Sequence, residues 1–425
     1  MFLRKMYYLK LAMRRQWIKR NDIKKFQFKR LKFIIENAYR YTRFYRKLFD
    51  AHGIKPSNFK RLSDIKKFPI ITREQIIENY SELITQDFRK NIFDVKLGHS
   101  GLTAGSSGEH SFRILQNEAA YDYFEVVYLR AILNAGYKPW YRTAYYWYEP
   151  FEKRFYNSFG LVKKECILST LTFKEQIKAI ENVNPEVISY FSSILYILAK
   201  LIKNNITINP KLVITRSEIL SEKMRRTIEN VFNAPVYDQY GSTEFSTMAW
   251  QCEERNGYHI DEDSILLEFI KENEDVASGE LGDIIVTGLW NCTMPLIRYA
   301  IGDAGIPLDE KCSCGRKLSL LKSVEGRKND LIEIVNKMFT PKAIIDIIDD
   351  ANVYQFKLDQ IGNQNFNLFL SFKDNRIKDM TTADICRRLR KLFGSNIKIN
   401  FQEKELPISK RGKFKMVNSL VANRR

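Results

Sequence analysis

Tyr240-Gly241-Ser242-Thr243-Glu244 is the stretch on which the fold turns. It follows a short apolar run at 235–238 that reads as a buried strand. An aromatic ring, a glycine, two hydroxyls and a carboxylate on one turn can stack a base, bond a phosphate and hold a magnesium ion. The same letters also suit a plain strand and turn, with Ser242 or Thr243 capping a following helix. Working outward, 211–215 and 281–289 are further strand-like runs, and helical stretches alternate with strands from about 90 to 325. Alternation of this kind predicts an α/β core. The tail differs, with helix at 343–348 and 383–393 and alternating strands at 353–359, 366–372 and 397–401. The expected fold class is therefore α/β, a large domain followed by a small mobile α+β domain at the C-terminus. The expected boundaries are 1–50 for a basic helical segment, 51–326 for the large domain and 331–425 for the small one. A linker is expected at 326–330.

Four other segments carry chemistry. Thr103-Ala104-Gly105-Ser106-Ser107-Gly108-Glu109 is a loop of glycines and hydroxyls able to wrap a phosphate, or a plain solvent loop. It has no Gly-Lys-Ser/Thr continuation, which argues against P-loop NTPases. Asp303, after Gly302 and the run 295–301, suits ribose hydroxyls or a turn. Arg327 in Gly326-Arg327-Lys328-Asn329-Asp330 suits a phosphate or ribose at a hinge, or a solvated linker. Lys413 in Gly412-Lys413-Phe414-Lys415 is a mobile point charge apt for a developing oxyanion, or part of a basic tail.

Cys252, His259, Cys312 and Cys314 offer three thiolates and an imidazole, the donor set of a closed structural zinc site. The spacing is unlike a standard finger, and 53 residues separate His259 from Cys312. The alternative is three buried thiols and a surface histidine.

Composition narrows the classes. The chain has 425 residues and a formal charge of +19. Residues 1–50 hold 16 Lys/Arg against Asp22, Glu36 and Asp50, a net +13, and 404–425 hold seven basic residues against Glu405, a net +6. The body between them is neutral, unlike a uniformly basic nucleic-acid coat. Six cysteines are too sparse for a disulfide scaffold and point to reducing cytoplasm. No run of 18 apolar residues occurs, and 187–202 reads as a buried helix. The first residues carry no cleavage-site pattern of a signal peptide. Tyr7, Tyr8, Trp17, Phe26 and Phe28 interleave with Lys and Arg, as in an amphipathic helix on an anionic membrane, so peripheral membrane contact is expected and nucleic acid is not. The aromatic run Tyr145-Tyr146-Trp147-Tyr148 reads as packed core or as acyl-pocket lining.

The five chemical segments, in this order and spacing, resemble the adenylate-forming superfamily of acyl-CoA synthetases. The likeness is strongest to its phenylacetate–coenzyme A ligase branch, including ligase-like proteins of capsular polysaccharide synthesis. It runs from about Phe26 to Val417 and includes Ala38-Tyr39, Phe44-Tyr45, Gly53-Ile54 and Lys67-Phe68-Pro69. The resemblance implies attack of a carboxylate on the α-phosphate of ATP, giving acyl-AMP and pyrophosphate, then displacement of AMP by the thiol of coenzyme A. It implies that Thr103, Gly105, Ser106, Ser107 and Gly108 grip the β- and γ-phosphates. Ser217 and Glu218 would lie beside adenine and acyl group. In the quoted stretch, Tyr240 would stack adenine, Gly241 and Ser242 would help bind the nucleotide, Thr243 would bond the α-phosphate and Glu244 would hold Mg²⁺. Asp303 would hold ribose, Arg327 ribose or phosphate, and Lys413 would bridge carboxylate and α-phosphate. Relatives of this branch often carry a similar cysteine knuckle, which supports Zn²⁺ at Cys252, His259, Cys312 and Cys314.

Three positions depart from the family pattern: Ala104 replaces a usual Ser, His110 a usual Pro, and Asn329 a usual Asp or Lys. The lost hydroxyl removes one phosphate contact, worth about 1 kcal/mol. Two other outcomes are compatible with the sequence. One is adenylation followed by transfer to a sugar amine or carrier in surface-polysaccharide synthesis. The other is an inactive relative that binds polyanions or acts as a scaffold.

Overall fold

The computed structural model describes residues 2–86, 97–102, 111–150, 163–202, 207–335 and 337–421, with 97–102 by backbone. The segment 103–110, with the expected phosphate loop and with Ala104 and His110, lies outside the described residues. The architecture is mixed α/β, in two compact units: 1–134 with 239–324, and 135–238 with 325–425.

The chain opens in the first unit with α1 (Phe2–Arg15), α2 (Arg20–Tyr41) and α3 (Arg43–Ala51). The spacing read at Leu31, Ile34, Ile35 and Ala38 is the buried stripe of α2. Thr42 stops that helix in an extended conformation, and its hydroxyl accepts from Tyr45 N to cap α3. Then come α4 (Arg73–Glu78), capped by Thr72, and α5 (Tyr80–Leu83). The hairpin β1 (Leu97–Leu102) and β2 (Arg113–Asn117) leads into α6 (Glu118–Asn134).

The second unit begins with β3 (Thr143–Trp147), β4 (Lys164–Leu168), α7 (Phe173–Val183), β5 (Val187–Phe191), α8 (Ser192–Leu201), β6 (Leu212–Arg216) and α9 (Glu222–Phe232), and β7 (Val236–Ser242) runs from it into the first unit at Gln239. β4, β3, β5 and β6 lie side by side, all parallel. The run 187–202, expected as one helix, is strand β5 followed directly by α8. Every residue of β5 and most of α8 are buried, so no polar face marks where the period changes.

Back in the first unit, the chain forms β8 (Ser246–Trp250), β9 (Tyr258–Ile260), β10 (Ile265–Lys271), β11 (Glu274–Asp275), β12 (Gly282–Gly288), β13 (Tyr299–Leu308) and β14 (Leu320–Arg327). Their order is β11-β10-β12-β13-β14-β9-β8. The second unit closes with β15 (Ile332–Ile334), β16 (Lys337–Phe339), α10 (Pro341–Ile348), β17 (Val353–Gly362), β18 (Asn365–Phe372), α11 (Lys378–Phe393), β19 (Lys398–Glu403) and β20 (Val417–Ser419). The helix–strand–strand–helix–strand order expected for the tail is present, as a sheet ordered β19-β18-β17-β20.

One polar node ties the first unit together. Fully buried Arg130 donates to Asp261 and Asp263 at 2.5 and 2.7 Å and to Ala12 O at 3.0 Å. Trp250 and Tyr123 donate to the same two carboxylates at 2.7 Å each. Arg130→Met removes the cation that bonds both buried acids and leaves Arg15 3.8 Å from Asp263. It is expected to cost about 3–5 kcal/mol, read from urea unfolding.

Candidate functional site

The quoted stretch lies in the first unit as a hairpin, not at a helix cap. β7 turns into β8 through Thr243–Phe245, and Ser242 Oγ accepts from Phe245 N at 3.3 Å to close the turn. Gly241 is required there, since a Cβ would stand 2.4 Å from Ser246 O. The Tyr240 hydroxyl donates to Asp303 on β13 at 2.8 Å. The residues read as adenine-facing and ribose-facing are thus brought together, from strands far apart in sequence. Thr243 is exposed, while Glu244 is buried and 3.8 Å from the Arg73 guanidinium. No motif marked Arg73. It comes to the site by the capped turn of α4.

In the second unit, Ser217 follows β6 with φ +71, a left-handed turn that redirects the chain into Glu218. The Glu218 carboxylate is half-buried and accepts from Ser193 N at 3.2 Å and Phe414 N at 2.7 Å, and from the Ser193 hydroxyl. Burial pushes its pKa up, against those hydrogen bonds and the nearby charge of Lys413. The Lys413 loop is tightly built. Ser409 Oγ accepts from Lys413 N at 3.0 Å, and the Tyr146 hydroxyl donates to Gly412 O at 2.9 Å. Gly412 has φ +75, and a Cβ there would meet Ser169 at 2.8 Å and the Tyr146 hydroxyl at 3.0 Å. Tyr146 is therefore the core residue that seats this loop, a role no spacing signalled. Arg327 ends β14 half-buried, and Lys415 pairs with Asp330 at 2.6 Å just beyond it. Asn329 is exposed. Each unit holds its own share of the expected site.

The cysteine set also converges. The ligand atoms of Cys252, His259, Cys312 and Cys314 all lie within 4.8 Å of one another. Cys252 and Cys312 sulfurs are 3.6 Å apart, and Cys314 Sγ is 3.3 Å from His259 Nε2. A tetrahedral zinc ion spaces two sulfurs by about 3.8 Å and sulfur from imidazole nitrogen by about 3.6 Å, given its bond lengths. His259 is fully buried rather than a surface histidine, and its Nδ1 has no hydrogen-bond partner among the described residues. β9, between β8 and β14, supplies His259 and closes the 53-residue gap. Burial pushes Cys252 up to about 12 and His259 down to about 4. A metal cation would supply the charge that keeps such thiols ionised.

Comparison with known proteins defines the class. No family model matches the chain. It is 23% identical over 410 residues to the CapK protein of Staphylococcus aureus, covering 90% of this chain and 86% of CapK. It is 24% identical over 403 residues to the phenylacetate–coenzyme A ligase of Escherichia coli, covering 89% and 90%. The Thermus thermophilus enzyme of that name is 26% identical over 334 residues, covering 74% and 72%. A 2-hydroxyisobutyryl-CoA ligase, solved with 2-HIB-AMP, superposes with a TM-score of 0.78 at 16% identity, covering 96% of this chain and 91% of that one. The fold is that of the adenylate-forming ligases, and over most of its length the sequence is similar to phenylacetate–coenzyme A ligases and to CapK.

Proposed function

We propose that the protein activates a carboxylic acid with ATP as acyl-AMP, releasing pyrophosphate, and passes the acyl group to the thiol of coenzyme A. The observation that carries this reading is the seating of the Lys413 loop by Tyr146 and Glu218. In the first step a carboxylate oxygen attacks the α-phosphorus and pyrophosphate leaves. The Lys413 ammonium draws the two anionic reactants together and stabilises charge gathering on the α-phosphate. Tyr240 and Asp303 hold the nucleoside, Thr243 bonds phosphate and Arg327 steadies ribose or phosphate. Glu244, buried 3.8 Å from the Arg73 guanidinium, suits Mg²⁺, which would screen the phosphates. Thr103, Gly105, Ser106, Ser107 and Gly108 complete the phosphate contacts. Residues 331–425 act as the small mobile domain, which carries Lys413 into the adenylation step and away for transfer. Cys252, His259, Cys312 and Cys314 hold a structural Zn²⁺. With ATP, Mg²⁺, coenzyme A and a panel of aryl, fatty, hydroxy and amino acids, the expected products are AMP and a thioester in equal amounts. AMP release with no thioester would overturn the transfer step as stated.

A second reading keeps adenylation and transfers the group to a sugar amine or carrier in surface-polysaccharide synthesis, as the resemblance to ligase-like proteins of that pathway implies. Amine-dependent AMP release without coenzyme A separates the two.

The N-terminus supports peripheral contact with an anionic membrane. α1 rests on α6, where Arg4 pairs with Asp122 at 2.5 Å and Lys5 with Glu125. Its outer stripe exposes Leu3 by 83% and Tyr7 by 60%, with Phe2, Met6, Lys10 and Arg14 alongside. Apolar tips flanked by cations suit the headgroup region of acidic lipid. No helix among the described residues is long and apolar enough to cross a membrane. Leu3→Glu with Tyr7→Glu is expected to lower cosedimentation with phosphatidylserine vesicles by about tenfold, and neutral phosphatidylcholine vesicles should bind neither protein.

A further inference from the structure

The second unit contains a polar clasp that the chemistry above does not use. Residues 135–238 and 331–425 belong to this one compact unit, and α10 of the latter meets α9 of the former. Ile344, Ile345 and Ile348 of α10 share a buried apolar cluster with Ile194, Leu198 and Ile228 of α8 and α9. Past its first turn, α8 carries only two polar side chains, Tyr196 and Lys200. They stand one helical turn apart, and both reach Asp349, the residue after α10.

The hydroxyl of fully buried Tyr196 donates to the Asp349 carboxylate. The Lys200 ammonium donates to the same oxygen at 2.7 Å and to Asp350 O at 2.8 Å. Burial, then the Asp349 charge, push the Tyr196 pKa far up, so the hydroxyl stays a donor. A helix C-terminus leaves carbonyls unpaired and negative, yet α10 has no basic residue in its own last turn. Lys223 of α9 donates to Asp346 O at 2.6 Å, and Arg388 of α11 donates to Ile347 O at 2.6 Å and Asp349 O at 3.0 Å. Of the three cations at this end, Lys200 and Lys223 belong to 135–238 and Arg388 to 331–425. Elsewhere between the same two segments, Tyr146 holds Gly412 and Glu218 holds Phe414. One polar contact set thus seats the Lys413 loop, and the other clasps Asp349.

We propose that Tyr196 and Lys200 are positioning residues: by clasping Asp349 they hold residues 331–425 in the arrangement that presents Lys413, and so bias the protein toward the first step. The proposal rests on the adenylation reading, in which that segment carries Lys413 in for acyl-AMP formation and away for transfer. A segment that leaves as one body breaks both contact sets together, so the clasp acts on Lys413 through the docked arrangement. The first step scales with the docked share and the second with the undocked share. The ratio of the two rates therefore changes by the full factor that the clasp contributes, whatever the starting share.

The test compares the full-length protein with its Tyr196→Phe/Lys200→Met variant, which keeps the ring and the aliphatic stem in the core. In single turnovers, the rate of acyl-AMP formation divided by that of thioester formation from supplied acyl-AMP is expected to fall about tenfold or more. Asp349→Asn, made from the other side of the clasp, should move the ratio in the same direction, and Lys200→Arg should retain most of it. Loss of packing alone would slow both steps alike, and a ratio unmoved in both the double variant and Asp349→Asn overturns the proposal. Hydrogen exchange of the Phe414 amide reads the docked share without any substrate, since that N–H donates to Glu218. It is expected to speed about tenfold in the double variant, while amides inside the β17–β18 pair keep their rates. An unchanged Phe414 amide also overturns the proposal. ATP–pyrophosphate exchange keeps the two readings apart. Pyrophosphate exchange with an unmoved ratio and an unmoved Phe414 amide leaves adenylation standing and removes the clasp. A faster Phe414 amide with no pyrophosphate exchange from any acid does the reverse.

Discussion

Alanine in place of Lys413 is expected to slow acyl-AMP formation by about 10²- to 10³-fold, the usual cost of removing a charge stabiliser aimed at a developing oxyanion. Release of AMP from chemically supplied acyl-AMP by coenzyme A should stay close to wild type, because the role proposed for the lysine lies mainly in the first step. The side chain is half-exposed, and the loop is held by backbone atoms of Gly412, Lys413 and Phe414. Stability should therefore change by no more than about 0.5 kcal/mol. Single-turnover rates for the two half-reactions, with a melting curve, check this. Equal slowing of both would place Lys413 outside the role given to it.

Cys312→Ser is expected to release the zinc and unfold much of the first unit. Cys312 is buried in a cluster with Ile23, Ala131, Trp250, Cys252, Leu318 and Leu320. A metal held by the proposed site would cross-link the end of β8, the strand β9 and the loop before β14. Structural zinc can contribute about 10–16 kcal/mol of apparent binding energy in small domains. Losing even about 5 kcal/mol of it shifts a midpoint by roughly 10–20 °C in a unit of this size. Strong chelators should lower the midpoint of the unaltered protein in the same direction. Mass spectrometry and calorimetry decide it. Protein purified without chelator that holds under about a tenth of an equivalent of zinc, and a Cys312→Ser variant that melts as wild type, would contradict the site.

The sequence was most legible where polar and apolar residues separate cleanly. The α2 stripe and the strands β6, β7 and β12 stand out by period and β-branched content. The tail's alternating strands do too, with α10 and α11 between them. It was least legible where burial is complete on every side, as at β5 and α8. The turn after β7 was misleading for a different reason. Ser and Thr close β-turns and cap helices with the same hydrogen bond, and only the partner strand β8 distinguishes them. Pairings across long separations, such as Tyr240 with Asp303 or the cysteines with His259, were visible as residue types but not as contacts. Arg73 had no signal at all, and Tyr146 was marked only as one ring of an aromatic run. An arginine or tyrosine in an ordinary helix or strand acquires its role from what the fold lays against it.

ATP–pyrophosphate exchange with full-length protein, Mg²⁺ and a broad panel of carboxylic acids tests the central claim most directly. Acid-dependent exchange that collapses in the Lys413→Ala variant is the predicted result. Absence of exchange with every acid, and a Lys413→Ala variant indistinguishable from wild type, would contradict it and leave the chain an inactive relative that binds polyanions or acts as a scaffold.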